Sequence, residues 1–453
     1  MARKRFQEIS RSSGRRDPLG VGDEMLTAGM SAVTLRWVEV PGRERLSRAF
    51  HWTWILALVL TCAGLVMIYS VSTAQGFFAQ NELALDRIRD QGVAALLGLA
   101  ALLVLSRLDY RRLRPMIMLF TLVVFGLLFA VWIPQIGREA NEAARWLDIG
   151  PLPIQPSEIA KLMMVVLAAH LLSTTRAKQG RFGVLFWPLA PVAGLATGLV
   201  LLQPDLGTAF MLAIIVMGLW WQSGMPLKEW IVIAALGILL VAVAILTSDY
   251  RRERFLVFVN PFNDPQGDGW QIVQSFLALA SGGWWGVGPG RSVQKFNYLP
   301  DAHTDMIFSI VGEEFGFVGV GVLLLAFVLL VVCVFRVAAE CTDPFGRYLA
   351  GGVGLMIAGQ AVVNLGGVMG VLPLTGIPLP FVSFGRTNLV MMLAGVGMVL
   401  AVARYGPVRI PVPMEADSNQ GELLTLERGF SNVTYLDRRR RHSRSCSAGL
   451  GDR

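Results

Sequence analysis

Residues 306–335 read MIFSIVGEEFGFVGVGVLLLAFVLLVVCVF. A helix crosses a bilayer with about 17 to 25 mostly apolar residues, so a run of this length predicts a transmembrane segment rather than the core helix of a soluble domain. Glu313 and Glu314 interrupt it. A carboxylate within a span costs about 2.5 to 3.5 kcal/mol unless it is paired or protonated, so both are expected to find partners or to face a wet cavity. If the helix extends back to residue 305, then Asp305, Ser309, Gly312, Gly316 and Gly319 share one stripe of a 3.6-residue helix. That stripe is small or polar. Its Gly312/Gly316 pair has the spacing that lets another backbone approach closely, so the face is expected to meet protein or a ligand groove rather than lipid.

The same length criterion, applied outward, finds apolar runs at 52–74, 91–107, 115–134, 157–173, 183–202, 206–223, 229–247, 348–370 and 387–404. With residues 305–335 they make ten expected crossings. Gln203-Pro204-Asp205 separates the fifth from the sixth as a tight hairpin. Composition agrees: the 453 residues are 54% hydrophobic and 16% charged, with a mean hydropathy of +0.55. These values lie outside the range of ordinary soluble domains, and the expected fold is an all-α polytopic integral membrane protein. A net charge of +8 could point to nucleic acid. The basic residues are not interleaved with base-stacking aromatics, however; they crowd the two ends and the short links, which suits anionic lipid instead.

Lysines and arginines concentrate in residues 1–51, in RLDYRRLR (107–114), in TTRAKQGR (174–181), between Arg336 and Arg347, and in the final segment, which puts both termini in the cytoplasm. No removable signal peptide is evident, because the first apolar run follows about 50 basic and polar residues; it is expected to act as a signal anchor. Residues 1–51 and 406–453 are expected to be basic cytoplasmic tails, largely disordered, on either side of a membrane domain at 52–405. Cys62, Cys333, Cys341 and Cys446 suggest neither an external disulfide framework nor a metal site.

Two segments remain for the outer face, 135–156 and the long connection 248–304. A loop of the latter length is functional or disordered, and FLVFV, QIVQSFLALA and SGGWWGVGPG are not the composition of disorder. They read as short helices or re-entrant pieces, with tryptophans at headgroup depth. This connection ends in YLPDAHTD, residues 298–305, which sets a histidine and two carboxylates at the lip of the span. Asp305 could simply cap the helix, and Thr304 could do so in its place. Arg291, Lys295, Tyr298 and His303 stand close by in sequence, enough cationic and hydrogen-bonding capacity to receive an anionic substrate. His303 is a possible base, though a histidine in a polar loop is more often structural. In PIQPSEIAKL, Glu158 and Lys161 are three apart and can pair on one helix face. Arg145-Trp146 reads by itself as an interfacial anchor.

Six stretches, in order, resemble the SEDS family (shape, elongation, division and sporulation): GREANEAARWLDIGPLPIQPSEIAKL, QPDLGT, RRERFLVFVNPFNDPQGDGWQIVQSFLALASGG, SVQKFNYLPDAHTDMIFSIVGEEFGFVG, DPFGR and LPLTGIPLPFVSFG. The likeness runs from about residue 52 to 404, and SVQKFNYLPDAHTD is closer to the division-type members than to the elongation-type ones. One departure stands out, Arg386 in SFGRTN where the family often carries a small residue.

The resemblance implies a multi-pass peptidoglycan glycosyltransferase of the bacterial cytoplasmic membrane, at the division site, that polymerises lipid II and releases a polyprenyl diphosphate. By that likeness Asp305 matches the family's essential carboxylate, expected to be the catalytic base, and Glu158 and Lys161 match a charged pair near its cavity; Arg145, Trp146, Arg291, Lys295, His303 and Ser383 join that pair as candidate substrate contacts. The implied partners are lipid II, the nascent glycan strand, a class B penicillin-binding transpeptidase, other divisome proteins and membrane lipids, with no nucleic acid. Charge on the departing diphosphate would be met by Arg291, Lys295, Arg145 or a divalent cation, magnesium or manganese; no nucleotide is required. Two rivals stay open: a flippase for the same lipid, with Glu313, Glu314 and Asp205 along its path, and a non-catalytic scaffold for the transpeptidase.

Overall fold

The computed structural model describes residues 35–41, 48–79, 83–133, 137–140, 143–148, 153–174, 182–247, 249–296 and 298–413. Of the tails expected at 1–51 and 406–453, residues 1–34, 42–47 and 414–453, with Cys446, lie outside these residues. Residues Glu39–Arg409 form one compact unit, and the two chain ends contribute to another. In chain order the elements are β1 (Leu35–Pro41), α1 (Arg48–Ala79), α2 (Leu83–Arg107), a 3-10 helix (Tyr110–Met116), α3 (Ile117–Ala130), β2 (Gly137–Ala140), β3 (Ala143–Leu147), α4 (Pro156–Thr174), α5 (Phe182–Phe186), α6 (Ala190–Leu202), α7 (Leu206–Gln222) and α8 (Leu227–Leu246). There follow α9 (Asp249–Val259), α10 (Trp270–Ser281), α11 (Ile307–Glu340), α12 (Pro344–Val368), α13 (Arg386–Tyr405) and β4 (Pro407–Pro413). The chain is an all-α membrane protein apart from two small sheets, β1 with β4 and β2 with β3. Among the described residues, 7 helices are long and apolar enough to cross a membrane.

The centre is made by α4, α12 and α13, whose most apolar stretches are 72%, 78% and 78% buried. Helices α2, α3 and α11 keep broad apolar faces outward, as lipid-facing helices do. Close packing at the centre depends on missing side chains: a Cβ on Gly397 of α13 would stand 2.8 Å from the backbone of Leu102 in α2. Local signals set the helix starts. In DPFGR, Asp343 accepts from the Gly346 N–H at 3.2 Å and Pro344 occupies the first turn, and in QPDLGT, Asp205 accepts from the Thr208 N–H at 3.0 Å.

Three departures from the sequence expectations matter. The fifth run is broken into α5 and α6 by a turn at Trp187-Pro188-Leu189, because proline has no N–H to continue the helix. Residues 407–413, expected to belong to an unstructured tail, form β4 against β1. And α11 begins only at Ile307, with residues 301–306 in turns, so Asp305 does not ride on the helical stripe. Its N-cap is Met306, without a side-chain cap bond, so neither Asp305 nor Thr304 serves as the cap.

Helix α11 is interrupted at Gly316, where φ is 65°. Only glycine adopts this conformation readily. The interruption frees peptide groups that lipid could not satisfy, and the glycine-tryptophan loop supplies the partners. Val287 N–H donates to Glu313 O at 3.0 Å and Gly288 N–H to Glu314 O at 3.1 Å. In return Phe317 N–H donates to Gly283 O at 2.9 Å and Val318 N–H to Trp284 O at 3.2 Å. The small stripe expected to meet protein does so: a Cβ on Gly312 would lie 2.5 Å from Leu279 of α10, and one on Gly316 would lie 2.4 Å from Gly286 N. Trp284 and Trp285 are left 69% and 80% exposed.

Candidate active site

The ends of α4 and α7, the hairpin β2–β3, α9, the start of α10, the turn before α11 and the loop after α12 surround a cavity of about 540 Å³. Asp305 lines it, and so do Glu158, Arg145 and Trp146. Each is set by a different local device. Asn364 of α12 donates to both Asp305 O and Ile377 O at 2.8 Å, tying the turn to the loop that follows α12. Antiparallel pairing of Arg138 with Trp146 in the hairpin brings Arg145 and Trp146 to the rim. Arg145 is held by two carbonyls of the α6–α7 turn, Gln203 O at 3.2 Å and Pro204 O.

Asp305 is 8% exposed. Burial, with the nearby charge of Asp301, pushes its carboxyl up from the usual carboxylate range to about 6. A hydrogen bond from Thr304 Oγ1 to Oδ1 at 3.2 Å and the charge of Arg254 work in the other direction. Such a carboxylate is ionised at neutral pH yet retains real proton affinity, the property a general base needs. Glu158 pairs with Lys161 at 2.8 Å, as their spacing suggests. Lys161 does not reach the cavity; it donates to Gln360 Oε1 at 2.6 Å, and Gln360 donates to Asn388 Oδ1 at 2.9 Å and Pro378 O at 2.8 Å. This chain of bonds joins α4, α12 and α13 behind the cavity wall.

The other candidates lie elsewhere. Lys295 is buried and bonded to Glu314 at 2.9 Å and to Ser70 Oγ at 3.1 Å, so its charge is used within the fold. Glu313 accepts from Ser292 Oγ, from Val293 N–H at 2.9 Å and from Gln294 N–H at 3.3 Å. Both acids in α11 thus have the partners their depth demands, supplied by the segment that leads to Asp305. Arg291 is exposed and does not line the cavity. His303 sits with its ring 5.6 Å from that of Phe384, and its carbonyl accepts from Phe384 N–H at 2.9 Å. Burial, helped by the charge of Arg87, lowers it to about 4, so it is neutral at physiological pH. Ser383 Oγ accepts from Leu379 N–H at 2.8 Å and shapes the loop after α12 without facing the cavity.

Several lining residues escaped the sequence reading as site candidates. Arg254 and Glu253 come from α9, Asp268 from the turn before α10, Gln271 from the first turn of α10, and Thr208 from the start of α7. Asp205, read as part of a hairpin or of a translocation path, is a structural hub. Besides Thr208 N–H, its Oδ2 accepts from Thr208 Oγ1 at 2.8 Å, Ser157 Oγ at 3.0 Å and Gln155 Nε2 at 3.3 Å. The available signal was that RRERF, QPDLGT and IQPSE all occur inside the motif stretches. Among the described residues no three His, Cys, Asp or Glu side chains are grouped so as to hold a metal ion.

A model of the cell cycle protein family FtsW/RodA/SpoVE matches residues 50–407. A probable peptidoglycan glycosyltransferase FtsW of Geobacter metallireducens is 37% identical over 349 residues, covering 77% of this chain and 93% of its own. Stage V sporulation protein E of Bacillus subtilis is 35% identical over 359 residues, covering 78% of this chain and 96% of its own. A solved chain from work on the structural coordination of polymerization and crosslinking by a peptidoglycan synthase complex aligns with a TM-score of 0.62 at 34% identity, over 78% of this chain and 96% of that one. The rod shape determining protein RodA of Thermus thermophilus aligns with a TM-score of 0.57 at 29% identity, over 78% and 95%. With the family model spanning nearly the whole described membrane unit, this chain belongs to the FtsW/RodA/SpoVE family of cell cycle proteins, the SEDS family its motifs resemble, and is FtsW-like within it.

Proposed function

We propose that this chain is a peptidoglycan glycosyltransferase that polymerises glycan strands from lipid II, with Asp305 as its general base. The observation that carries the reading is a carboxylate of raised proton affinity in a cavity that also holds two arginines, Arg145 and Arg254. Asp305 takes the proton from the acceptor sugar's 4-hydroxyl as that oxygen bonds to the anomeric carbon of the growing chain. The bond from that carbon to the diphosphate breaks, and the polyprenyl diphosphate leaves. Base assistance of this kind is worth about 10² to 10⁴ in rate. One inverting displacement suffices, without a covalent intermediate. Charge growing on the diphosphate falls to Arg145 and Arg254, rather than to Arg291 and Lys295. No cluster of three metal-binding side chains is present among the described residues; were a magnesium or manganese ion to bind with the substrate, Asp301 and Asp305 would be the carboxylates in the cavity to hold it, and it would help to offset the same charge.

The geometry favours chemistry over translocation: Glu313 and Glu314, which a lipid path would need, are closed off by Ser292, Lys295 and the loop backbone. The full topology belongs to this proposal. Ten crossings result when the seven helices counted above are joined by α5 with α6, by α7 and by α8, with both termini cytoplasmic, the connection 248–304 outside and basic tails at either end. A class B penicillin-binding transpeptidase and other divisome proteins at the division site are the proposed partners, in keeping with the similar chain studied in a peptidoglycan synthase complex. The test supplies lipid II to purified protein, with and without the transpeptidase, and resolves glycan polymer on a gel. Polymer from wild type and a loss of at least about 100-fold in Asp305→Asn are expected; equal product from both would remove Asp305 from this role.

A further inference from the structure

Arg386 begins α13, and a cation at a helix N-terminus opposes the positive end of the helix dipole. Something must offset that placement. Asp90 of α2 does so, taking Arg386 Nη1 at 2.6 Å in a pair only 19% and 30% exposed. The residue next to Asp90 grips the same stretch of backbone: Gln91 Oε1 accepts from Gly385 N–H at 3.2 Å, and its Nε2 donates to Ser383 O at 3.4 Å. The guanidinium is thereby held in one position. Its carbon lies 5.9 Å from the Trp146 ring centroid and 5.8 Å from that of Phe384, while Nε makes no hydrogen bond. A guanidinium at this distance over an indole is within reach of the attraction of the ring's negative face. Trp146 in turn lines the cavity with Asp305 and Glu158.

We propose that Arg386 is a positioning residue which, anchored by Asp90, braces Trp146 and so sets how tightly the sugar portion of the lipid-linked substrate seats in the cavity. The proposal rests on the polymerase reading. An indole face is a platform for the apolar C–H face of a pyranose ring, and a platform works only if it is held still. The hairpin carrying Trp146 is tied to the α6–α7 turn through the bonds of Arg145 to two backbone carbonyls, and the contact from Arg386 of α13 adds a tie at the indole itself. The brace touches no reacting atom. It should therefore act on binding and leave the chemical step alone.

Steady-state polymerisation by the full-length protein, with its transpeptidase if required, tests this by titrating lipid II. Arg386→Gly is expected to raise KM about tenfold with kcat within about twofold, the size expected for losing a partly buried cation–π contact. Arg386→Lys keeps the charge without the flat face and Asp90→Asn weakens the anchor, so both should raise KM by smaller factors. In a Trp146→Leu background Arg386→Gly should change KM no further, since its effect passes through the indole. An unchanged KM in Arg386→Gly, a fall in kcat alone, or effects that multiply in the double variant would overturn the brace. A binding readout separates this from the polymerase reading: in Asp305→Asn protein, Arg386→Gly must still weaken lipid II binding about tenfold. Unaltered binding there sinks the brace whether or not the wild type makes polymer.

Discussion

At the scale of single residues, Asp305 trades stability for function. Its folded-state carboxyl titrates near 6 instead of 3.8, so the folded protein holds that proton more tightly than the unfolded chain does. Stability is therefore unaffected below about pH 4 and declines as pH rises toward 6, with the full cost above it. Asp305→Asn should melt at a higher temperature than wild type at pH 8, by the equivalent of up to about 3 kcal/mol, and the difference should close as pH approaches 4. A thermal shift series across that range in detergent checks it, and a gap that persists at low pH would contradict the assignment. The working base is the ionised form, so kcat/KM should fall as pH drops through about 6. Because the charge of Arg254 lowers the Asp305 carboxyl, Arg254→Ala should move that acid limb to higher pH. An unmoved limb would mean that Arg254 meets only the substrate. Asp305 was legible from YLPDAHTD because the acid does not stand alone there: cationic and hydrogen-bonding residues lie close by in sequence, and the stretch resembles a family motif. Arg254 was not, since α9 carries several charges and only the folded loop shows which of them faces the cavity.

At the scale of elements, the break in α11 and the glycine-tryptophan loop form one unit. Each satisfies peptide groups that the other leaves open, and the carboxylates of Glu313 and Glu314 fasten the chain that runs on to Asp305. A β-carbon at Gly316 meets Gly286 N at 2.4 Å and a positive φ as well. Gly316→Ala should accordingly destabilise the protein by about 1 to 3 kcal/mol, seen as a lower melting temperature, whereas Gly321→Ala, where a Cβ meets open space, should be near neutral. Equal effects at both positions would show that the break does not depend on glycine. Sequence periodicity anticipated that the Gly312/Gly316 face meets protein, since small residues at that spacing have few other uses in an apolar helix. It did not anticipate the break. A continuous apolar run carries no mark of where its hydrogen bonds will be diverted, and the partners lie in a loop far away in sequence.

At the scale of the whole molecule, the proposed orientation can be tested from opposite ends. In a cysteine-free chain in intact cells, a cysteine replacing exposed Trp285 should react with a membrane-impermeant maleimide, and one replacing Arg111 should not. Reaction at 111 but not 285 would reverse the topology and put Asp305 on the wrong side for lipid-linked sugar exported from the cell. Sequence alone determined that this is a helical membrane protein, where most of its helices run, and that an acid stands at the mouth of its longest span, because hydrophobic length and local charge are properties of contiguous residues. Tertiary structure decided which charges serve the cavity and which serve the fold. Lys295 and Arg254 look equally available on paper, but one is bonded to Glu314 inside the protein and the other lines the cavity, because the company a side chain keeps depends on how distant segments come to pack.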